Sequence, residues 1–405
     1  MRFNAPDVTN RRVCVVAMGI ISPLGVGLSE NLSALQSGRD CVTAVTQFNV
    51  ERCRCRTAAQ VPSEGLAQGR VNDGHDHFHP AAKMMISALG EALENDPEFH
   101  PQLAVIGTTS GGMSFGEKYY RAIVRHENIR GAPRWIANYP PHKPVVDALL
   151  HFGLDCPSQI IANACASGTN AIGHAFHCIR SGRYQSVLAG GYDALCELVF
   201  VGFDSLQAAT PDKCRPFDAE RTGMVLGEGA AVLALEDLEH AERRGAKIVA
   251  EIIGYGISTD NYHLTQPNPS GIGPRAAMEQ ALRTAGISSA EVDYINAHGT
   301  ATRFNDSAEA KAIQELFPAE VPVSSTKSMM GHSLGAAGAI EAAFCLLAMQ
   351  NNFLPPNINF RKVDDGTSLN IVANESRPQK VRIALSNSFG FGGTNASIVL
   401  RSSTS

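Results

Sequence analysis

IIANACASGTNAIGHAF (residues 160–176) and VPVSSTKSMMGHSLGAAGAIEAAF (321–344) follow one plan: an apolar strand, a tight turn of small polar residues, then a helix rich in glycine and alanine. Glycine makes such a segment a poor free-standing helix. Buried, its small side chains let neighbouring backbones approach closely. Two such helices side by side predict an α/β fold, a five-layered α-β-α-β-α sandwich of two pseudo-symmetric halves.

Around these segments, strands alternate with helices. Residues 1–245 read as a helix at 81–95, strands at 103–107 and 159–163, a helix at 168–180, and strands at 186–190 and 230–235. Residues 246–405 repeat the order: strand 248–253, helix 274–285, strand 292–297, helix 307–316, strand 321–325 and helix 334–349. Strands near 357–360, 382–386 and 396–400 close the chain. The alternation predicts mostly parallel sheets with helices on both faces. A length of 405 residues exceeds what one small core needs, which fits two packed halves.

The composition, 44% hydrophobic and 18% charged, is ordinary for a large globular enzyme. The net charge is -5 and no long basic stretch occurs, so nucleic acid is not an expected partner. MRFNAPDVTNRR at the start lacks the apolar centre of a signal peptide. The apolar run 336–349 is interrupted by Gly338 and Glu341, so no membrane span is expected. The 10 scattered cysteines are then expected to be reduced, in the cytoplasm. His75, His77 and His79 with Cys53 and Cys55 fit no zinc spacing; they read as an exposed polar loop, with no metal expected.

Cys165 opens the first glycine-rich helix. Unpaired N–H groups and the positive end of the helix dipole lie there, which predicts a lowered thiol pKa and a nucleophilic thiolate. The strand-to-helix corner is expected to hold the side chain outward. The competing reading is a buried structural cysteine. His298, in NAHGT (296–300), follows a strand at the kind of carboxyl end where catalytic groups of α/β folds gather. His332 occupies the corner of the second half that corresponds to Cys165. Either histidine alone fits a satisfied core position, but both at glycine-marked strand ends point to a nucleophile with two donors or bases. SFGFGGTN (388–395) adds a glycine-rich turn offering backbone N–H groups; it lacks the lysine and following helix of a phosphate loop.

NACASG (163–168), CRPFDAERTGMVLGEGAA (214–231), NAHGT, STKSMMGHSLGAAGA (325–339) and NSFGFGGTN (387–395) together resemble the β-ketoacyl-acyl carrier protein synthase family, type II branch, of the thiolase fold. The resemblance runs from RRVCVVAMGIISPLG (11–25) to the last strand. It implies a decarboxylative Claisen condensation, with Cys165 carrying the acyl group taken from a carrier protein. His298 and His332 match the histidines that assist decarboxylation and hold the thioester oxygen. Lys327 matches a lysine that organises charge, and Glu309 a structural carboxylate. Thr300 and Thr302 match the pair that bonds the pantetheine arm. Phe391 matches a gate whose backbone N–H forms an oxyanion hole with that of Cys165. No cofactor is implied beyond the phosphopantetheine of the acyl carrier protein. A homodimer and a heterodimer with a chain-length-factor-like paralogue are both compatible.

Three departures from the family stand out. Ser110, in GTTSGG (107–112), replaces a bulky aliphatic residue at the floor of the acyl pocket, implying a deeper or more polar pocket. The loop AATPDKCR (208–215) is shorter than in fatty-acid members. RVNDGHDHFHP (70–80) is histidine-rich where the carrier-docking helix is usually basic, which moves docking to Arg130 and Arg134. These departures lean toward a type II polyketide or polyene pathway over fatty-acid synthesis. Two alternatives remain at this stage: a degradative thiolase, and a non-catalytic chain-length-factor-like subunit.

Overall fold

One strand order is laid down twice along the chain. The computed structural model describes residues 10–63, 66, 78–127, 131–364 and 366–403. In its first half, β1 (Val13–Ser22), β2 (Leu103–Gly107), β3 (Ser158–Ile161), β4 (Ser186–Asp193) and β5 (Gly229–Asp237) lie in the order β3-β2-β4-β5-β1. The second half comprises β6 (Ala250–Thr259), β7 (Tyr294–Asn296), β8 (Pro322–Ser324), the short edge strand β9 (Asn370–Ile371), β10 (Ile383–Gly390) and β11 (Thr394–Ser402). Its order is β9-β8-β7-β10-β11-β6. Leaving out β9, each half repeats the other strand for strand. Antiparallel pairing of Val13 to Val15 with Ile252 to Ala250 joins them into one sheet that wraps the central helices.

The expectation of mostly parallel sheets does not hold. In each half the pairings among three strands, β3-β2-β4 and β8-β7-β10, are parallel, as is that of the edge strand β9 with β8. The rest are antiparallel. The cause is plain at β10–β11, where three residues join the strands; a parallel return needs a crossover of a dozen or more. Strand β1, VCVVAMGIIS, is buried along its whole length and so has no alternation for a sequence reading to find. The expected strand at 357–360 is irregular chain, with Asn357 making a lone bridge to Ala373.

Helix α1 (Pro80–Asn95) covers β1 and β5, and α3 (Ile272–Ala285) covers β6 and β11, giving the outer layers. Between the sheet halves lie α2 (Ser167–Arg180) and α5 (Ala337–Asn351). A further helix, α4 (Arg303–Leu316), packs beside α3. This is the five-layered thiolase-type sandwich. The small residues do what their spacing implied. A Cβ on Gly168 would lie 2.8 Å from the carbonyl oxygen of Gly335, and one on Gly338 would lie 2.1 Å from Thr169 Oγ1. Every residue of α5 from Ala337 to Met349 is buried, and each enclosed Leu or Ile is worth about 1.5–3 kcal/mol. Leu334–Asn351 is long and apolar enough to cross a membrane by composition, but 89% of it is buried inside the fold.

Candidate active site

Both halves deliver their strand ends to one cavity of about 530 Å³, whose walls include Cys165, His298, His332, Thr300, Thr302 and Phe391. Ser110 and Arg134 are not among its lining residues. Arg130, His75 and His77 lie outside the described residues.

Cys165 sits just before α2, after Ala164 at φ 54°. A left-handed alanine stores about 1–3 kcal/mol of strain, which the surroundings must hold in place. They do so through Ser167, whose hydroxyl accepts from Asn163 N at 2.9 Å and donates to Ala164 O at 2.6 Å. Cys165 is 6% exposed. Burial pushes its thiol up to about 12; Lys327 and the backbone N–H groups of Cys165 and Phe391 pull it the other way. The expected lowering at a helix N-terminus is therefore outweighed by desolvation. The resting group is a protonated thiol that must lose its proton as it attacks. The same two N–H groups bear on the sulfur from different elements, one at the start of α2 and one in the β10–β11 turn.

That turn is Phe391-Gly392-Gly393, with both glycines left-handed at φ +85° and +79°, so it closes in three residues. The Phe391 ring is half-buried and lies 5.5 Å, centroid to centroid, from Phe203.

The two imidazoles are neighbours, with ring centroids 5.2 Å apart and planes at 84°. His332 has neither ring nitrogen partnered by protein, and His298 has Nδ1 unpartnered. Burial drives both pKa values well below 6.5, and the Lys327 charge drives them further. Both rings are therefore neutral at physiological pH and each carries one N–H.

Lys327 is wholly buried and donates to Glu341 Oε1. Burial pushes the Glu341 carboxyl up to about 7 against the pull of Lys327, and its second oxygen has no partner. Glu341 is a site residue the sequence reading passed over. Its signal was a lone carboxylate amid the apolar α5.

Two carboxylates one turn apart on α4 hold the loop that carries His298. Glu309 accepts from His298 N and Gly299 N at 2.8 Å and from Asn387 Nδ2 at 3.1 Å. Asp306 accepts from Thr300 N at 3.0 Å, Ala301 N at 3.1 Å and Phe217 N at 2.8 Å. Thr300 and Thr302 face each other with hydroxyl oxygens 2.9 Å apart. Burial raises Glu309 to about 7. Replacing it, as Glu309→Ala, strands three buried donors and is expected to cost about 2–4 kcal/mol. Chemical denaturation measures this, and an unchanged midpoint would contradict the clamp.

Ser110 has a different setting from the pocket floor expected of it. Its N–H and hydroxyl both donate to Asp193 Oδ1, at 2.8 and 2.7 Å. Asp193, another residue missed, also accepts from Thr108 Oγ1, Thr109 N and Gly335 N at 2.7–2.8 Å. It thus ties the loop after β2 to the turn that follows His332. His79, expected in an exposed loop, is 2% exposed and caps α1 by accepting from Ala81 N at 3.1 Å. Cys55 is likewise buried.

A sulfur beside two neutral imidazoles, with N–H groups converging on it, suits enzymes that park an acyl group on cysteine while a second thioester is activated alongside. Comparison with known proteins gives the same class. Residues 10–241 match the family model described as beta-ketoacyl synthase, N-terminal domain, and residues 249–361 match beta-ketoacyl synthase, C-terminal domain. The chain belongs to the beta-ketoacyl synthase family. It is 39% identical to 3-oxoacyl-[acyl-carrier-protein] synthase 2 of Coxiella burnetii, over 96% of this chain and 98% of that one. It is 36% identical to the Rhizobium meliloti protein of the same name, over 96% and 99%. Among solved structures it resembles the ishigamide ketosynthase/chain length factor, with TM-score 0.90 and 34% identity over 97% of this chain and 99% of that one.

Proposed function

We propose that this protein is a β-ketoacyl-acyl carrier protein synthase in which Cys165, His298 and His332 carry out a decarboxylative Claisen condensation. The observation that carries this reading is the convergence of all three residues on one cavity, with the N–H groups of Cys165 and Phe391 directed at the sulfur.

The Cys165 sulfur attacks the carbonyl carbon of an acyl-carrier thioester while its proton passes to a neighbouring neutral imidazole. The tetrahedral oxyanion rests on the N–H groups of Cys165 and Phe391; one such donor is worth about 3 kcal/mol. The bond to the carrier sulfur breaks, and the departing thiolate takes the proton. Malonyl-carrier then loses its carboxylate as carbon dioxide. The electron pair becomes an enolate whose oxygen is held by the N–H groups of His298 and His332. Its carbon attacks the acyl carbonyl, the bond to Cys165 breaks, and the sulfur takes up one proton from solvent, the proton the overall reaction consumes. Lys327, paired with Glu341, keeps both imidazoles neutral and favours the thiolate. Thr300 and Thr302 bond the pantetheine amides. The chemistry is complete with substrates borne on phosphopantetheine.

The acyl carrier protein is the obligate partner, and the enzyme is a dimer, homodimeric or paired with a chain-length-factor-like paralogue, working in the cytoplasm in fatty acid or type II polyketide synthesis. The division at residue 245/246 separates the half bearing the nucleophile from the half bearing the histidines. Against a degradative thiolase, the β10–β11 turn holds no cysteine, and Cys345 is enclosed within α5. Against a silent subunit stands Cys165 itself. The test is product analysis with acyl- and malonyl-carrier proteins. One 3-oxoacyl-carrier per carbon dioxide released is expected; carbon dioxide without carbon–carbon bond formation, with every acyl chain tried, would count against it.

A further inference from the structure

Asp193 ends β4 and is wholly buried. Its Oδ1 accepts from the hydroxyls of Thr108 and Ser110 and from Ser110 N, at 2.7–2.8 Å. Its Oδ2 accepts from Thr109 N at 2.8 Å and from Gly335 N at 2.7 Å. The donors at 108–110 belong to the first half, which carries Cys165. Gly335 belongs to the second, three residues after His332. Each oxygen faces at least one backbone N–H, which cannot turn away. A proton on either oxygen would meet a donor, so the carboxyl stays ionised although burial raises its pKa.

Three segments of chain cross at Gly335. A Cβ there would lie 2.6 Å from the carbonyl carbon of Thr108 and from Thr109 N. One on Gly168, in the first turn of α2, would lie 2.8 Å from Gly335 O. The helix behind Cys165, the loop after β2 and the turn after His332 are thus in backbone contact. His332 depends on that contact. Neither nitrogen of its ring has a protein partner, so backbone and packing alone place the ring. On one side the backbone is fixed: His332 N donates to Val225 O at 2.7 Å, and His332 O accepts from Gly227 N at 2.9 Å. On the other side comes Leu334, at φ 53°. A left-handed leucine persists only where the surrounding chain holds it. The hold beyond it is the Gly335 N–H on Asp193.

We propose that Asp193 is a positioning residue: by binding the turn after His332 to the loop after β2, it sets the His332 ring against the Cys165 sulfur and so governs the decarboxylation step. This rests on the condensation reading given above.

The test uses protein already acylated on Cys165, with rates of malonyl-carrier decarboxylation taken per acyl adduct. Asp193→Asn must point its NH₂ at one of the fixed N–H groups. Its maximal rate is expected to fall about 10–100-fold, with the half-saturating concentration of malonyl-carrier within about twofold of wild type. Alkylation of unacylated Cys165 by iodoacetamide, followed by mass on its peptide, should be no slower. Burial sets the high pKa of that thiol and the Asp193 charge adds to it, so the variant loses a group that opposes the thiolate. In a His332→Ala background, Asp193→Asn should change decarboxylation by less than about threefold, because its effect runs through that ring. If Asp193→Asn does not fold, Gly335→Ala opens the same contact from the other side and should give the same pattern. Losses that multiply with His332→Ala, or alkylation and decarboxylation falling together, would overturn the proposal. A wild-type protein that takes an acyl group but never decarboxylates malonyl-carrier would overturn the condensation reading itself, and the proposal with it.

Discussion

Cys165→Ala should lose condensation by about 10⁴-fold or more while unfolding within about 1 kcal/mol of the wild type. In the proposed mechanism the sulfur is the atom on which the acyl group waits, and no other cysteine lines the cavity among the described residues. The other buried cysteines, Cys345 and Cys214 among them, do not line it. Stability should hardly change because the elbow is fixed by Ser167 and by the backbone around Ala164, not by the thiol. Formation of 3-oxoacyl-carrier, with a denaturation curve on the same sample, checks both halves. Retained condensation within tenfold would show that Cys165 is a structural cysteine.

His298→Ala is expected to slow decarboxylation of malonyl-carrier about 10²–10³-fold, the loss of one fixed donor to the enolate oxygen. Acylation of Cys165 should fall by less than about tenfold, because that oxyanion rests on the N–H groups of Cys165 and Phe391 and His332 remains to take the thiol proton. Carbon dioxide release and adduct formation, measured separately, give the ratio; equal losses would contradict the division of roles. The pH dependence supplies a second check. Burial and the Lys327 charge depress both imidazole pKa values, so the neutral donors persist as pH falls through 6.5. Any inflection of decarboxylation near neutral pH should therefore come from the Glu309 and Glu341 carboxyls, which burial raises to about 7, and not from an imidazole. Titration of either imidazole near 6.5, followed by NMR, would mean that an ordinary, solvated histidine does the work.

The two glycine-rich helices, and the placing of Cys165, His298 and His332 around one cavity, were legible because their constraint is local. A backbone that must pass close to another backbone tolerates little but glycine or alanine, and a nucleophile at a corner needs small neighbours. The residues that support them were harder to find. Asp193 gathers donors from positions 108–110 and 335, and Glu309 reaches Asn387 as well as His298; partners so far apart in the chain leave no spacing to read. Glu341 did leave a mark, a charge within a buried apolar helix, yet it was read only as an interruption of that helix. The lowered thiol pKa failed because a helix N-terminus was weighed without knowing how deeply the thiol would be buried. Ser110 was read as a wall because of its place in a motif; its bonds to Asp193 show a hydroxyl committed to holding a loop. Strand β1 escaped because burial on both faces erases alternation.

The most direct measurement is to incubate the wild-type protein with acyl-carrier protein, weigh the intact chain, and map the modified peptide. One acyl group per chain, located on Cys165 and absent from Cys165→Ala, is the expected result. An adduct on another cysteine, or none with the chain alone and none with a chain-length-factor-like partner present, would contradict the assignment of this cavity as a condensing site.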